Sequence, residues 1–538
     1  MQGVSKDVSG KLIAAFLSPF LLALSFPKPD IEVLAWIGLI PLFYLINRSS
    51  LKEIFFWSWL SGILFFLSTL YWLTGTMSNY GGIPLWIGVL VLLLLALYLG
   101  LYIGIFGTLT WIISKRTPIP LTLFTPPLWV TLEYLRAHLL TGFPWVSLGY
   151  SQYKFIPIIQ IADITSFPGI SFLIVGINAT LFEIILYIKG GIKRSPLLNI
   201  CSLTVIPLLF FLSLLYGYIR LQKDFDRPGN GLVVAVLQGN IPQHLKWSRT
   251  FQQETLKIYE RLTMEAGHGV FDPSIPTNRS PLDPDSQSSP GVDLIVWPET
   301  AAPFFFQDRS EYRQEILDLA GKKGAPILFG SPSYTITEGG EIRLFNSAYL
   351  ISPDGKTISR YDKIHLVPFG EYIPLSKILF FLEKMVVGIG DFIPGKAYTV
   401  FRIPKGSFGS VICFEVIFPD LVRKFVSKGA EFMTTITNDA WFGRSAAPYQ
   451  HFAMVVFRAV ENRVYFARAA NTGISGFISP KGEILGQTPL FVEGYLVHKI
   501  HPSTARTFYT LYGDVFPYLS IFLTGIMIIY AISTRSSS

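Results

Sequence analysis

Between Leu85 and Ile113 the chain runs 29 residues without one charged side chain. As a single helix, at about 1.5 Å per residue, that run is longer than the ~30 Å apolar core of a bilayer. A soluble protein has no use for a buried helix of that length. Seven more apolar stretches accompany it, at residues 11–26, 31–46, 54–74, 121–135, 166–188, 196–219 and 515–533, with the long run itself read as 84–114. The pattern predicts a bundle of about eight transmembrane helices. The first stretch has the look of a secretion signal, but Pro27-Lys28-Pro29 follows it where a small-x-small cleavage site would stand.

Charge orients the bundle. The net charge of +8 has the sign of a nucleic-acid binder, yet its placement predicts no nucleic-acid partner. With the N-terminus inside, ten Lys and Arg fall on inner segments and three on outer short loops. That is the bias of a membrane protein with its basic loops in the cytoplasm. Seven spans then precede residue 220, so residues 1–219 form a membrane bundle. Residues 220–514 form an extracytoplasmic domain, and 515–538 a final span. Two cysteines, Cys201 and Cys413, exclude a disulfide framework and a multi-cysteine zinc site.

The outer domain alternates strand and helix signals. Val- and Ile-rich runs at 232–237, 294–297, 326–330, 347–351, 410–413, 432–435 and 476–479 predict strands. Helical patterns occupy 250–266, 310–323 and 449–463. Residues 349–356, Tyr-Leu-Ile-Ser-Pro-Asp-Gly-Lys, echo residues 476–483, Gly-Phe-Ile-Ser-Pro-Lys-Gly-Glu. Both predict a hairpin with a Pro-x-Gly turn, which fits a layered α/β sandwich of two related halves. Residues 272–291, rich in Pro, Ser and Asp, predict a disordered loop. Residues 373–393 are apolar but too short to span, and predict a lid that dips into lipid.

Three polar residues fall where apolar strands stop: Glu299 after Leu294-Ile295-Val296-Trp297-Pro298, Lys363 after the first hairpin, and Cys413 after Ser410-Val411-Ile412. Sites in layered α/β folds gather at strand ends. A thiol is a weak nucleophile until a base takes its proton. A carboxylate among apolar neighbours can do that, and an ammonium can stabilise the resulting oxyanion. Taken singly, each residue is as readily structural. The histidines form no helical metal-binding pair, so His365 and His451 are expected to be structural or solvated, and no metal or cofactor is predicted.

The surrounding words join the three. Trp297-Pro298-Glu299-Thr300, then residues 361–372 (Tyr-Asp-Lys-Ile-His-Leu-Val-Pro-Phe-Gly-Glu-Tyr), then Ile412-Cys413-Phe414-Glu415 resemble the Glu-Lys-Cys signature of the nitrilase, or carbon–nitrogen hydrolase, superfamily. The second motif in full resembles that of its membrane branch, the apolipoprotein N-acyltransferase family. The likeness extends through Gln238–Ile241 with Trp247, through residues 141–145, and through residues 437–443. It implies a nitrilase-like αββα sandwich with Glu299 as general base, Lys363 as oxyanion stabiliser and Cys413 as nucleophile. Glu371 and Glu415 match supporting glutamates. Phe414 stands where the family often has Tyr, which leaves the backbone N–H of that position intact. Trp145, Trp247, Trp441 and Phe442 are candidates for the substrate passage. The resemblance further implies transfer of a fatty acyl chain, through an acyl-cysteine thioester, from a phospholipid to a diacylated lipoprotein at the bacterial inner membrane. Two rivals are a membrane-tethered amidase acting on a small soluble amide and a catalytically dead binding or transport component. The retained Glu299, Lys363 and Cys413 speak against the second.

Overall fold

The computed structural model describes residues 2–79, 81–190, 195–229, 231–246, 248–267, 291–372 and 392–534. The apolar runs are helical. Among the described residues five helices are long and apolar enough to cross a bilayer: Leu51–Leu70, Leu85–Arg116, Phe167–Ile188, Pro196–Leu221 and Val515–Ser533. Two of them, Leu51–Leu70 and Leu85–Arg116, pack closely through glycine. A Cβ on Gly62 would meet the Gly100 Cα at 2.9 Å, and one on Gly107 would meet Ser58 Oγ at 2.0 Å. In a bilayer, where hydrophobicity does not drive helices together, such close backbone approach is a main source of adhesion.

The stretch expected at 31–46 is not one helix. It is a 3₁₀ turn, Glu32–Trp36, followed by a separate nine-residue helix, Ile40–Arg48, with Pro at its start. Pro41 has no N–H to carry a helix through from the preceding turn. Leu121–His138 is helical despite Pro126 and Pro127. Charges inside the apolar runs are tied to helix ends and to the loop that follows the helix Leu121–His138. Glu133 accepts from the Leu148 N–H at 2.7 Å, and Glu183 from the Leu121 N–H at 2.8 Å. Arg136 donates to the Trp145 carbonyl at 2.8 Å and to Ser147 Oγ at 2.9 Å.

Among the described residues twelve strands follow: β1 Leu232–Gln238, β2 Leu294–Val296, β3 Ile327–Ile336, β4 Ile342–Ile351, β5 Thr357–Asp362, β6 Val400–Ile403, β7 Gly406–Ile412, β8 Phe432–Thr437, β9 Phe466–Ala470, β10 Gly476–Ile478, β11 Ile484–Gln487 and β12 Gly494–Ile500. They make two six-stranded sheets, ordered β12-β1-β2-β3-β4-β5 and β6-β7-β8-β9-β10-β11. Read in those orders, both sheets pair antiparallel, parallel, parallel, antiparallel, antiparallel. The two echoing segments are the β4–β5 and β10–β11 turns, at matching places in the two sheets. Ser352 N–H donates to the Lys356 carbonyl and Ser479 N–H to the Glu483 carbonyl, each at 2.9 Å. Gly355 (φ 75°) and Gly482 (φ 86°) supply the left-handed residue that each turn requires.

Side chains alternate faces along a strand, and β1 divides accordingly. Leu232, Val234 and Val236 join a core containing Val411 and Ile436 of the other sheet. Val233, Ala235 and Leu237 face a second core shared with the helices Arg249–Glu265 and Glu311–Lys323. The helical and strand-bearing parts are bolted together by buried charge. Asp163 accepts from Arg463 Nη2 at 2.8 Å, Arg220 Nε at 2.9 Å and the Tyr216 hydroxyl at 2.8 Å. The segments 272–290 and 373–391, which hold nearly all of the expected disordered loop and of the expected lid, lie outside the described residues.

Candidate active site

Glu299, Lys363 and Cys413 leave β2, β5 and β7 at one end of the two sheets. Glu299 reaches its place through a close backbone approach: a Cβ on Gly330 of β3 would lie 2.7 Å from the Glu299 Cα and 2.4 Å from the Thr300 nitrogen. Only glycine fits there. Lys363 is pinned on both sides, its N–H donating to the Asn346 carbonyl at 2.8 Å and its own carbonyl accepting from Gly395 at 2.7 Å. Cys413 opens a 3₁₀ turn, Cys413–Ile417, in the left-handed region at φ 51°.

The side chains converge. Lys363, 1% exposed, places Nζ 2.9 Å from Glu371 and 3.8 Å from Glu299 Oε1. Burial opposes its charge, but Glu371 and Glu299 prevail and hold the ammonium above the ordinary lysine pKa. Asn346 bridges the two acids, its Nδ2 donating to Glu299 Oε1 at 2.7 Å and to Glu371 Oε1 at 2.8 Å. The Asn438 N–H donates to Glu299 Oε2 at 3.0 Å. The half-buried Cys413 thiol is pushed up by burial and by Glu299, with Lys363 pulling the other way and Thr437 offering a hydrogen bond. Such a thiol stays protonated until a base accepts its proton.

Glu415 is a scaffold within the site. It accepts from the N–H groups of Ile412 (2.7 Å), Ile364 (2.7 Å) and His365 (3.1 Å) and from the Tyr361 hydroxyl (2.7 Å). Burial lifts its carboxyl to about 7 against those bonds. One side chain thereby fixes the residues flanking Lys363 and the residue preceding Cys413. His365 is pushed down to about 4 by burial and packs on Phe418, ring centres 3.7 Å apart.

Aromatic side chains of the helical part close the site from below. Trp145, 1% exposed, stacks on Phe414 at 6.4 Å and on His451 at 5.6 Å, and its indole N–H donates to Gln450 at 2.8 Å. Phe442 meets Trp72 edge-on at 4.9 Å. The Trp441 carbonyl accepts from Thr76 at 2.9 Å. Trp247 lies outside the described residues.

The sequence reading missed Lys246 and Asn346. Lys246 is 1% exposed and donates to the Glu299 carbonyl at 3.0 Å. Neither lysine nor asparagine marks itself in a sequence, and only the neighbouring Trp247 drew attention to that loop. Burial draws the Lys246 pKa from 10.5 down to about 8, against the pull of Glu299. Between pH 8 and 10.5 the unfolded chain therefore holds a proton that the folded chain has released, and stability rises with pH. Lys246→Met is expected to remove a gain on the order of 3 kcal/mol across that window. Thermal melts of both proteins in detergent at pH 8 and 10.5 check this. Parallel pH dependences refute it.

Comparison with known proteins follows the same division of the chain. The family model of the apolipoprotein N-acyltransferase N-terminal domain matches residues 18–180, and that of carbon–nitrogen hydrolase matches residues 233–509. The chain is 44% identical to an apolipoprotein N-acyltransferase of Geobacter metallireducens, over 98% of this chain and 96% of that one. It is 31% identical to one of Haemophilus ducreyi, over 93% and 94%. It is 30% identical to one of Pasteurella multocida, over 96% and 95%.

Proposed function

This chain belongs to the apolipoprotein N-acyltransferase family, and from that premise we propose that it moves a fatty acyl chain from a glycerophospholipid to the N-terminal amine of a lipoprotein's diacylglyceryl-cysteine. The observation that carries the reading is the buried Glu299–Lys363–Glu371 cluster beside the Cys413 thiol. Glu299 takes the thiol proton as sulfur attacks the ester carbonyl of the phospholipid. Lys363 and the backbone N–H of Phe414 stabilise the oxyanion. The C–O bond breaks, the lysophospholipid leaves with the proton from Glu299, and the acyl chain stays on sulfur as a thioester. The neutral acceptor amine then attacks that carbonyl and loses a proton to Glu299. The amide forms and sulfur departs, recovering its proton from Glu299. Glu371 and Asn346 keep base and ammonium apart yet in reach, and Glu415 holds the loops that carry Lys363 and Cys413.

The architecture suits this traffic. The two sheets, with helices outside them, form an αββα sandwich over residues 220–514, on the extracytoplasmic side of the bacterial inner membrane. Residues 1–219 and 515–538 supply eight apolar passages, one of them broken. Both substrates keep their chains in the bilayer, so the thiol must stand next to lipid and away from water, which would hydrolyse the thioester. Trp145, Trp441 and Phe442 line the passage where the helical and strand-bearing parts meet.

Incubating the full-length protein with phospholipid vesicles, then digesting it, tests the reading. A fatty acyl mass on the Cys413 peptide that disappears on adding a diacylated lipopeptide is the expected result. Turnover of small soluble amides with no acyl mass on Cys413 would overturn it. The amidase reading is not favoured: the likeness to membrane acyltransferases covers 98% of the chain, including helices that a soluble substrate does not require.

A further inference from the structure

Cys413 occupies a conformation that a side chain with a Cβ rarely adopts, φ 51° at the end of β7. Such a residue reverts to a relaxed backbone unless its surroundings hold it. Two bonds bracket it. On the N-terminal side Glu415 grips the Ile412 N–H. On the C-terminal side His451 Nε2 lies 3.2 Å from the Cys413 carbonyl oxygen.

The imidazole is wholly buried in the helix Ala447–Asn462. Its Nδ1 is 3.1 Å from Arg468 Nη2 and 3.1 Å from Asp439 Oδ1. Asp439 Oδ2 accepts from Arg468 Nη2 at 2.7 Å, and Asp439 Oδ1 from the Thr437 hydroxyl at 2.9 Å. Arg468 also donates to the Ile474 carbonyl at 3.0 Å. Gly473 makes room, since a Cβ there would lie 2.2 Å from Asp439 Oδ2. A guanidinium has no lone pair to give and a carbonyl has no proton to give. Nδ1 therefore accepts from Arg468, and the proton of the neutral ring sits on Nε2, pointing at Cys413. Burial and Arg468 keep the ring neutral.

We infer that His451 is a positioning residue for the nucleophile: fixed by Arg468, which Asp439 holds in place, its Nε2–H donates to the Cys413 carbonyl and holds that residue in its left-handed conformation. His451 touches no reacting atom. The inference rests on the reading of Cys413 as acyl carrier.

Two substitutions separate hydrogen bonding from packing. His451→Phe keeps a ring against Trp145 but has no donor. His451→Gln offers an amide N–H over a similar reach. The readout is the single-turnover rate at which acyl mass appears on Cys413 of the full-length protein with phospholipid vesicles, beside a thermal melt. H451F is expected to acylate about 10- to 100-fold more slowly while still folding, and H451Q to recover to within about 5-fold of wild type. H451F acylating at the wild-type rate overturns the inference, as does H451Q being as slow as H451F. Failure of either variant to fold also overturns it, because the ring then serves packing. Wild-type protein that takes up no acyl mass sinks the acyl-carrier reading instead.

Discussion

Cys413→Ala removes acyl transfer, by about 10⁴-fold or more, because the thiol that carries the covalent intermediate is gone. The fold survives, since the side chain is small and half-buried and its deletion leaves little empty space. The variant should melt within a few degrees of wild type and take up no acyl mass. Cys413→Ser is the sharper probe. Its hydroxyl fits the same place but ionises far less readily, so the first half-reaction is expected to slow, with substrate binding intact. A C413A protein that still transfers acyl chains would remove the nucleophile from the scheme altogether.

Lys363→Met is expected to damage both stability and turnover. The ammonium is the cation between Glu299 and Glu371, which share Asn346 Nδ2 at 2.7 and 2.8 Å. Without it two carboxylates face each other in a buried place. Breaking a buried pair by removing one partner costs about 3–5 kcal/mol. Loss of an oxyanion stabiliser adds about 10²–10³-fold in rate. Part of the stability returns if one acid is neutralised, so the double variant K363M/E371Q should melt above K363M. Activity does not return with it. A K363M protein as stable as wild type would show that the cluster is not held by charge.

The site was legible where chemistry coincides with a strand end. Glu299 and Cys413 each follow an apolar run, Lys363 follows the second arm of a hairpin, and the words around them carry the family likeness. Glu371 and Glu415 were legible through the same words. Lys246, Asn346 and the grip of His451 on Cys413 were not, because each acts across sheets or loops far apart in sequence, such as Lys246 on the Glu299 carbonyl 53 residues on. Hydrophobicity located the apolar helices because in lipid length and polarity nearly decide the matter. It failed over residues 31–46, where the run is apolar enough but Gly38 and Pro41 interrupt the backbone. The paired sheets were foreshadowed by two echoing turns, since a turn demands particular residues at particular places. Short strands such as β6 and β11 left no comparable trace.

Trp145 has a consequence for anyone wishing to work with a smaller piece. Its indole covers Phe414 and His451 and bonds Gln450, so the floor of the reaction chamber comes from a loop between membrane helices. Cutting the chain near residue 220 would uncover that floor to solvent and leave Arg463 without Asp163. The excised half is therefore not a miniature of the whole: it would be sticky, wet at its reactive centre, and inclined to lose its cargo to hydrolysis.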